Sequence, residues 1–224
     1  AWKSGDVLQG KYLKQLEIEI AGKYKRKYAI GVGSATDGLY FAMKAVGLDK
    51  SSTVLCPVFS YVATAGAIKR LGADIRFTDT DKQGNIGDWG IMGLPSAVLY
   101  VNMFGNLADY TRLRKYCDQH KISLLEDAAQ SQGAMHGNIP SGALGDVSVF
   151  SFEHASTSEK YKHHEGGSQL VLEHPFVVCQ QMTRAVLCTL EYYLPPTTTT
   201  PGRVWTSFKT FFPRGAPPPG KKKG

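Results

Sequence analysis

Three stretches of this 224-residue sequence carry residue types at spacings that can do chemistry. Leu125-Glu126-Asp127-Ala128-Ala129-Gln130 puts two acids where an apolar, strand-like run finishes, followed by alanines small enough to permit close approach. A carboxylate there suits pairing with a protonated heterocyclic nitrogen, and Gln130 can hydrogen-bond a phenolic oxygen on the same ring. Asp127 would serve equally as the N-cap of a following helix. Gly33-Ser34-Ala35-Thr36 lies between a strand and a helix, where backbone N–H groups and hydroxyls can hold a phosphate, with plain helix capping as the competing reading. In the third stretch Ser151 follows the run Val147 to Phe150, and a segment rich in Lys and His leads on to Glu165-Gly166-Gly167. Cofactor chemistry needs a lysine here: its amine condenses with an aldehyde to an imine, and a nearby cationic ring nitrogen makes that imine an electron sink.

Other chemistries fit less well. His154, His163 and His164 lie close in sequence, but zinc wants about four ligands and no cysteine accompanies them, so no metal is expected and His163-His164 reads as an exposed pair. Ser151 with His154 lacks the G-x-S-x-G elbow of a hydrolase. The net charge of +7 sits mostly in the tail, where Arg203, Lys209, Arg214, Lys221, Lys222 and Lys223 occur with no acid. The body is thus nearly neutral, which argues against a nucleic-acid partner. Cys56, Cys117, Cys179 and Cys188 are scattered without C-x-x-C spacing, which fits a reducing cytoplasm. No basic-then-apolar leader opens the chain and no apolar stretch reaches the roughly 20 residues of a membrane span, so a soluble, cytoplasmic protein is expected.

The elements that must position these residues alternate between strand and helix, the pattern of an α/β fold with a mostly parallel sheet flanked by helices. A helix over Tyr12–Lys23, with Leu13, Leu16, Ile18 and Ile20 toward the core, precedes a strand at Tyr28–Val32. Ser34 to Asp37 cap a helix carrying Leu39, Met43 and Val46 on one face. Strand Thr53–Cys56 stops at Pro57, and helix Ala63–Leu71 ends at Gly72. Strands at Asp74–Phe77 and Ala97–Val101, a helix at Asp109–His120, and strands at Ile122–Leu125, Val147–Phe152 and Gln169–Leu172 follow. After Tyr193 the Pro/Thr-rich and Pro/Gly/Lys-rich composition favours extended or disordered chain. Residues 1–193 therefore read as one domain, and 194–224 as a disordered tail.

One ordered series of short motifs makes the likeness specific. Gly33-Ser34-Ala35-Thr36-Asp37, Pro57-Val58-Phe59-Ser60-Tyr61-Val62-Ala63-Thr64, Asn102-Met103-Phe104-Gly105-Asn106-Leu107-Ala108-Asp109, Glu126-Asp127-Ala128-Ala129-Gln130, Gly145-Asp146-Val147 with Phe150-Ser151-Phe152, and Glu165-Gly166-Gly167 together resemble the DegT/DnrJ/EryC1/StrS family of sugar aminotransferases. The resemblance covers about Trp2 to Arg184. It implies the large domain of fold-type I, aspartate aminotransferase-like transferases that use pyridoxal 5'-phosphate, with the N-terminal segment incomplete and the small C-terminal domain missing. It further implies that Ala35 and Thr36 contact the cofactor phosphate, that Tyr61 stacks on the pyridine ring, and that Asp127 pairs with the ring nitrogen. Gln130 would approach the phenolic oxygen, and Ser151 would add a hydroxyl to the phosphate.

The family's lysine is implied in the stretch after Phe152. Counting forward from Ser151-Phe152 lands on Ser156, whereas counting back from Glu165-Gly166-Gly167 lands on Glu159, so Lys160 is the expected catalytic lysine and Lys162 the second choice. The activity implied is transfer of an amino group from an amino acid, glutamate being typical, to a nucleotide-linked keto sugar, by a homodimer. Two other readings stay open: a non-catalytic remnant of the fold, favoured by the displaced lysine, and a dehydratase of the same family with His154 as base.

Overall fold

A computed structural model describes residues 10–87, 93–107 and 109–152, and the backbone of a strand at 185–189. The strands are β1 (Tyr28–Val32), β2 (Thr53–Pro57), β3 (Asp74–Thr78), β4 (Ala97–Val101), β5 (Ser123–Asp127), a small hairpin of β6 (Met135–His136) and β7 (Ile139–Pro140), β8 (Val147–Ser151) and β9 (Ala185–Thr189). The helices are α1 (Lys11–Lys23), α2 (Ala35–Ala45), α3 (Val62–Leu71) and α4 (Tyr110–His120).

Seven strands form one sheet in the order β1-β9-β8-β5-β4-β2-β3. The run from β3 to β8 is parallel, and β9 lies antiparallel between β8 and β1. Two antiparallel steps restore direction, so β1 ends at the same rim as the five parallel strands. The central strands read Ala-Val-Leu-Tyr-Val and Val-Ser-Val-Phe-Ser because both of their faces are covered; all five residues of β4 and of β8 are buried.

Strand alternation sends Cys56, Leu99, Leu125 and Val149 toward α2 and α3, where they meet Leu39, Met43, Ala67 and Ile68. The opposite face packs Leu55, Val98, Tyr100 and Leu124 against Leu113 and Cys117 of α4. Beside it, Leu16 and Ile20 of α1 and the Tyr24 ring rest on Ala29 and Phe150, with ring centroids of Tyr24 and Phe150 4.6 Å apart. α2 seats close to the sheet because Gly38 lacks a side chain: a Cβ there would stand 2.8 Å from Val149 Cγ1.

The expected elements recur with shifted ends. Ile18 is 65% exposed and off the core face, since α1 buries only the narrow stripe of Leu16 and Ile20. Pro57 closes β2 rather than lying beyond it. The strand expected at Ile122–Leu125 runs on to Asp127, so the two acids belong to the strand itself. β9 had no counterpart in the sequence reading, whereas the expected strand at Gln169–Leu172 and the tail 194–224 lie outside the described residues.

Glu126, wholly buried, is the hub of the loop that leads into β8. Its carboxylate accepts six hydrogen bonds: from the N–H groups of Gly142, Leu144 and Gly145, the hydroxyls of Ser141 and Ser148, and the Asn102 amide, at 2.7 to 3.2 Å. Arg26, at the turn after α1, donates to the carbonyls of Gly142 and Gly145 and to the Ser148 hydroxyl. The acid thus takes the loop's donors while the guanidinium takes its acceptors. Gly142 is required between them, because its φ of +91° is left-handed and a Cβ would overlap the Phe150 ring.

Glu126→Gln would turn an amide N–H toward this ring of donors, and removing an acceptor that satisfies buried groups costs about 2–4 kcal/mol. The loss should appear in urea unfolding followed by circular dichroism; a change below about 1 kcal/mol would show that the clamp is dispensable.

Candidate active site at the carboxyl rim of the sheet

The fold brings those expected site residues that are described to one rim of the sheet. Asp127 pairs with Val101 and Val149, so Ser151 stands two residues further along the adjacent strand. Val32 and Ser151 both pair with Ala185, one on each side of it, which puts the end of β1 and the start of α2 two strand spacings, ~10 Å, from the end of β8. Asp127 and Ser151 alternate in step with Leu125 and Val149, and so face the side covered by α2 and α3.

Asp127 is 5% exposed and is not a helix cap, for no helix follows it. Its Oδ1 accepts from the Ala129 N–H at 3.1 Å and its Oδ2 from the Thr64 hydroxyl at 3.2 Å. Burial pushes its carboxyl up to about 6, against the pull of those two hydrogen bonds, and Glu126 next to it adds to the rise. No cation pairs with it among the described residues. A positive group brought alongside would restore ionisation and recover part of the desolvation cost.

Gln130 is half-buried, and its Oε1 accepts from the Phe104 N–H at 3.0 Å. A backbone N–H only donates, so this bond fixes Oε1 on Phe104 and leaves Nε2 as the amide's donor. Phe104 reaches it from a left-handed conformation, φ 57° and ψ 21°, in the turn after β4. Gln132 donates from Nε2 to the Ser151 carbonyl at 2.9 Å, tying the end of β8 to the same loop.

Ala35 and Thr36 open α2, both half-buried. Ser34 caps the helix by accepting from the Asp37 N–H at 3.1 Å. The N–H groups of Ala35 and Thr36 have no acceptor among the described residues, as the first turn of a helix requires. Asp37 would oppose an anion there, but Arg70 pairs with it and, as the main cause, holds its carboxyl below the ordinary range. Tyr61 is the N-cap of α3, is 69% exposed, and accepts the Thr64 N–H through its carbonyl at 3.0 Å.

Lys160, Lys162, His154, His163 and His164 lie outside the described residues. No group of three metal-binding side chains occurs among the described ones. Thr64, Gln132 and Phe104 were not singled out from sequence. Thr64 closes the Pro57–Thr64 motif, yet nothing local marks its hydroxyl as a partner of Asp127, 63 positions away. The arrangement can hold a proton on a ring nitrogen at Asp127, offer a donor at Gln130, and receive an anion at the start of α2.

The family profile of DegT/DnrJ/EryC1/StrS aminotransferases matches residues 1–159. The chain is 32% identical over 155 residues to a pleiotropic regulatory protein of Geobacillus stearothermophilus, covering 67% of this chain and 42% of that protein. It is 34% identical over 149 residues to a GDP-perosamine synthase of Vibrio cholerae, covering 64% and 41%. It thus spans less than half the length of these curated relatives. Among solved structures, a DegT DnrJ EryC1 StrS aminotransferase of Brucella abortus superposes with a TM-score of 0.67 at 23% identity, over 84% of this chain and 48% of that one. With its fold, that of the large domain of fold-type I transferases, and its matched span, the chain belongs to the DegT/DnrJ/EryC1/StrS aminotransferase family.

Proposed function

We propose that the chain is the pyridoxal 5'-phosphate-binding part, residues 1–193 with a tail at 194–224, of a cytoplasmic enzyme that moves an amino group from an amino acid, glutamate by preference, to a nucleotide-linked keto sugar. The observation that carries this reading is Asp127, a buried carboxylate anchored on both oxygens at the sheet rim, with no cation beside it among the described residues. The nucleotide-linked sugar is favoured by the family and by the GDP-linked product that the Vibrio relative's name carries.

The described residues suit the cofactor's parts. Asp127 would hold the proton on the ring nitrogen, and the Gln130 Nε2 would donate to the phenolic oxygen. The Ala35 and Thr36 N–H groups, with the Ser151 hydroxyl, would take the phosphate. Tyr61, exposed at the start of α3, has a ring available to stack on the pyridine. The bound cofactor would supply an electron sink for negative charge at the substrate carbon. Lys160, with Lys162 as second choice, would provide the amine that anchors the cofactor and moves a proton; it lies one position beyond the matched span.

A second copy of this chain is the partner we assign to the apolar rim. Val58, Phe59, Tyr61 and Val62 are 49% to 74% exposed, and Phe59 packs on the exposed Phe104 ring at 6.0 Å. Contiguous exposed apolar surface of this kind marks an interface. Val62→Glu should shift the chain from dimer to monomer in light scattering, and a wild-type chain that is already monomeric contradicts the assignment.

Mixing the chain with pyridoxal phosphate should produce an imine absorption band that borohydride abolishes as it reduces the imine to a stable secondary amine, leaving the label on the Lys160 peptide. Binding without trapping supports a dehydratase or a remnant, and no binding supports a remnant alone.

Asp127 also links function to stability. Its midpoint of about 6 lies above the ordinary 3.8, so the folded chain binds this proton more tightly than the unfolded one. Stability from that proton is full below pH ~4 and lost as pH rises through about 6. Asp127→Asn should therefore stabilise the cofactor-free chain by about 2–3 kcal/mol at pH 7, with the gain vanishing near pH 4, while weakening cofactor binding at least ~tenfold. Equal stability at pH 7 would mean that the carboxylate carries no burial cost.

A further inference from the structure

We propose that Thr64 is a positioning residue for Asp127, its hydroxyl fixing Oδ2 so that the carboxylate keeps one orientation toward the ring-nitrogen position. This rests on the reading of Asp127 as the partner of that nitrogen. Thr64 is wholly buried and donates across 63 positions of sequence, from the first turn of α3 to the last residue of β5. A threonine inside a helix ordinarily turns its hydroxyl back to a carbonyl of the preceding turn. Here the hydroxyl goes to another element, and burying it without a partner would be costly where valine has nearly the same shape.

The two hydrogen bonds on Asp127 fall on different oxygens, Ala129 on Oδ1 and Thr64 on Oδ2. A carboxylate held at one oxygen can turn about its Cβ–Cγ bond, whereas one held at both cannot turn without breaking a bond. Each oxygen keeps a lone pair for a further donor. Thr64 also donates its N–H to the Tyr61 carbonyl, so a single turn of α3 sets both the acid and the exposed tyrosine at the rim. Glu126, on the opposite face of the same strand, is the charged neighbour that bears on Asp127.

The test compares Thr64→Val, which keeps shape and removes the hydroxyl, with Thr64→Ser, which keeps the hydroxyl. Thr64→Ala replaces the valine variant if that fails to fold. In the cofactor-free chain, carbon-detected NMR of the Asp127 carboxyl should show its midpoint rising above about 6 in Thr64→Val, by roughly one pH unit, and returning in Thr64→Ser. Pyridoxal phosphate, titrated by absorbance, should bind ~tenfold more weakly to Thr64→Val and nearly normally to Thr64→Ser. An unchanged midpoint in Thr64→Val overturns the proposal, whatever the cofactor does. If the midpoint moves but Asp127→Asn binds pyridoxal phosphate as tightly as the wild type, the ring-nitrogen reading fails, and the positioning role falls with it.

Discussion

Strand alternation at two adjacent acids governs the rim of this molecule. Glu126 and Asp127 are neighbours in β5 and must therefore face opposite sides of the sheet. On one side Glu126 meets three backbone N–H groups, two hydroxyls and an amide. On the other, Asp127 meets one hydroxyl and one N–H. The first acid is fully satisfied and structural. The second is buried, under-supplied with donors, and pushed toward protonation. A carboxylate in that state is costly to the free fold and gains most from a protonated partner.

The parts of the rim take their positions from the buried interior. Glu126 and Arg26 clamp the loop entering β8, which fixes where Ser151 ends up. Gly38 lets α2 settle onto Val149 and Val32, which fixes Ser34 to Thr36. The Asp37–Arg70 pair then offsets the one acid in the first turn of α2. Phe104, held in the left-handed region, fixes the flip of Gln130. Sites supported in this way hold their geometry because packed neighbours lock the rotamers of the groups that touch the ligand.

Much of this was legible in the sequence. The alternation of apolar strands and capped helices gave the α/β class, and α3, β1, β4 and α4 fall within a residue or so of expectation. Ser34 as a cap and Gly72 as a helix stop follow from local backbone chemistry, which short motifs carry well. The end of β5 was misjudged because two consecutive acids look like the end of a strand, and only the partners of Glu126 explain why a charge lies inside it. Ile18 was misassigned because an apolar residue at helical spacing need not face a core when the stripe is narrow. Thr64, Gln132 and the Phe104–Gln130 bond were invisible for a plainer reason: each depends on a contact between distant elements. β9 was missed likewise, its pairing with β1 and β8 being settled by topology.

The most direct measurement follows the Asp127 carboxyl by NMR across pH, first in the free chain and then with saturating pyridoxal phosphate. A midpoint near 6 that drops well below its free value on adding the cofactor is the expected result, since a protonated ring nitrogen stabilises the ionised acid. A midpoint already at the ordinary 3.8 in the free chain, or one that the bound cofactor leaves unmoved, would contradict the assignment of Asp127 as the ring's partner.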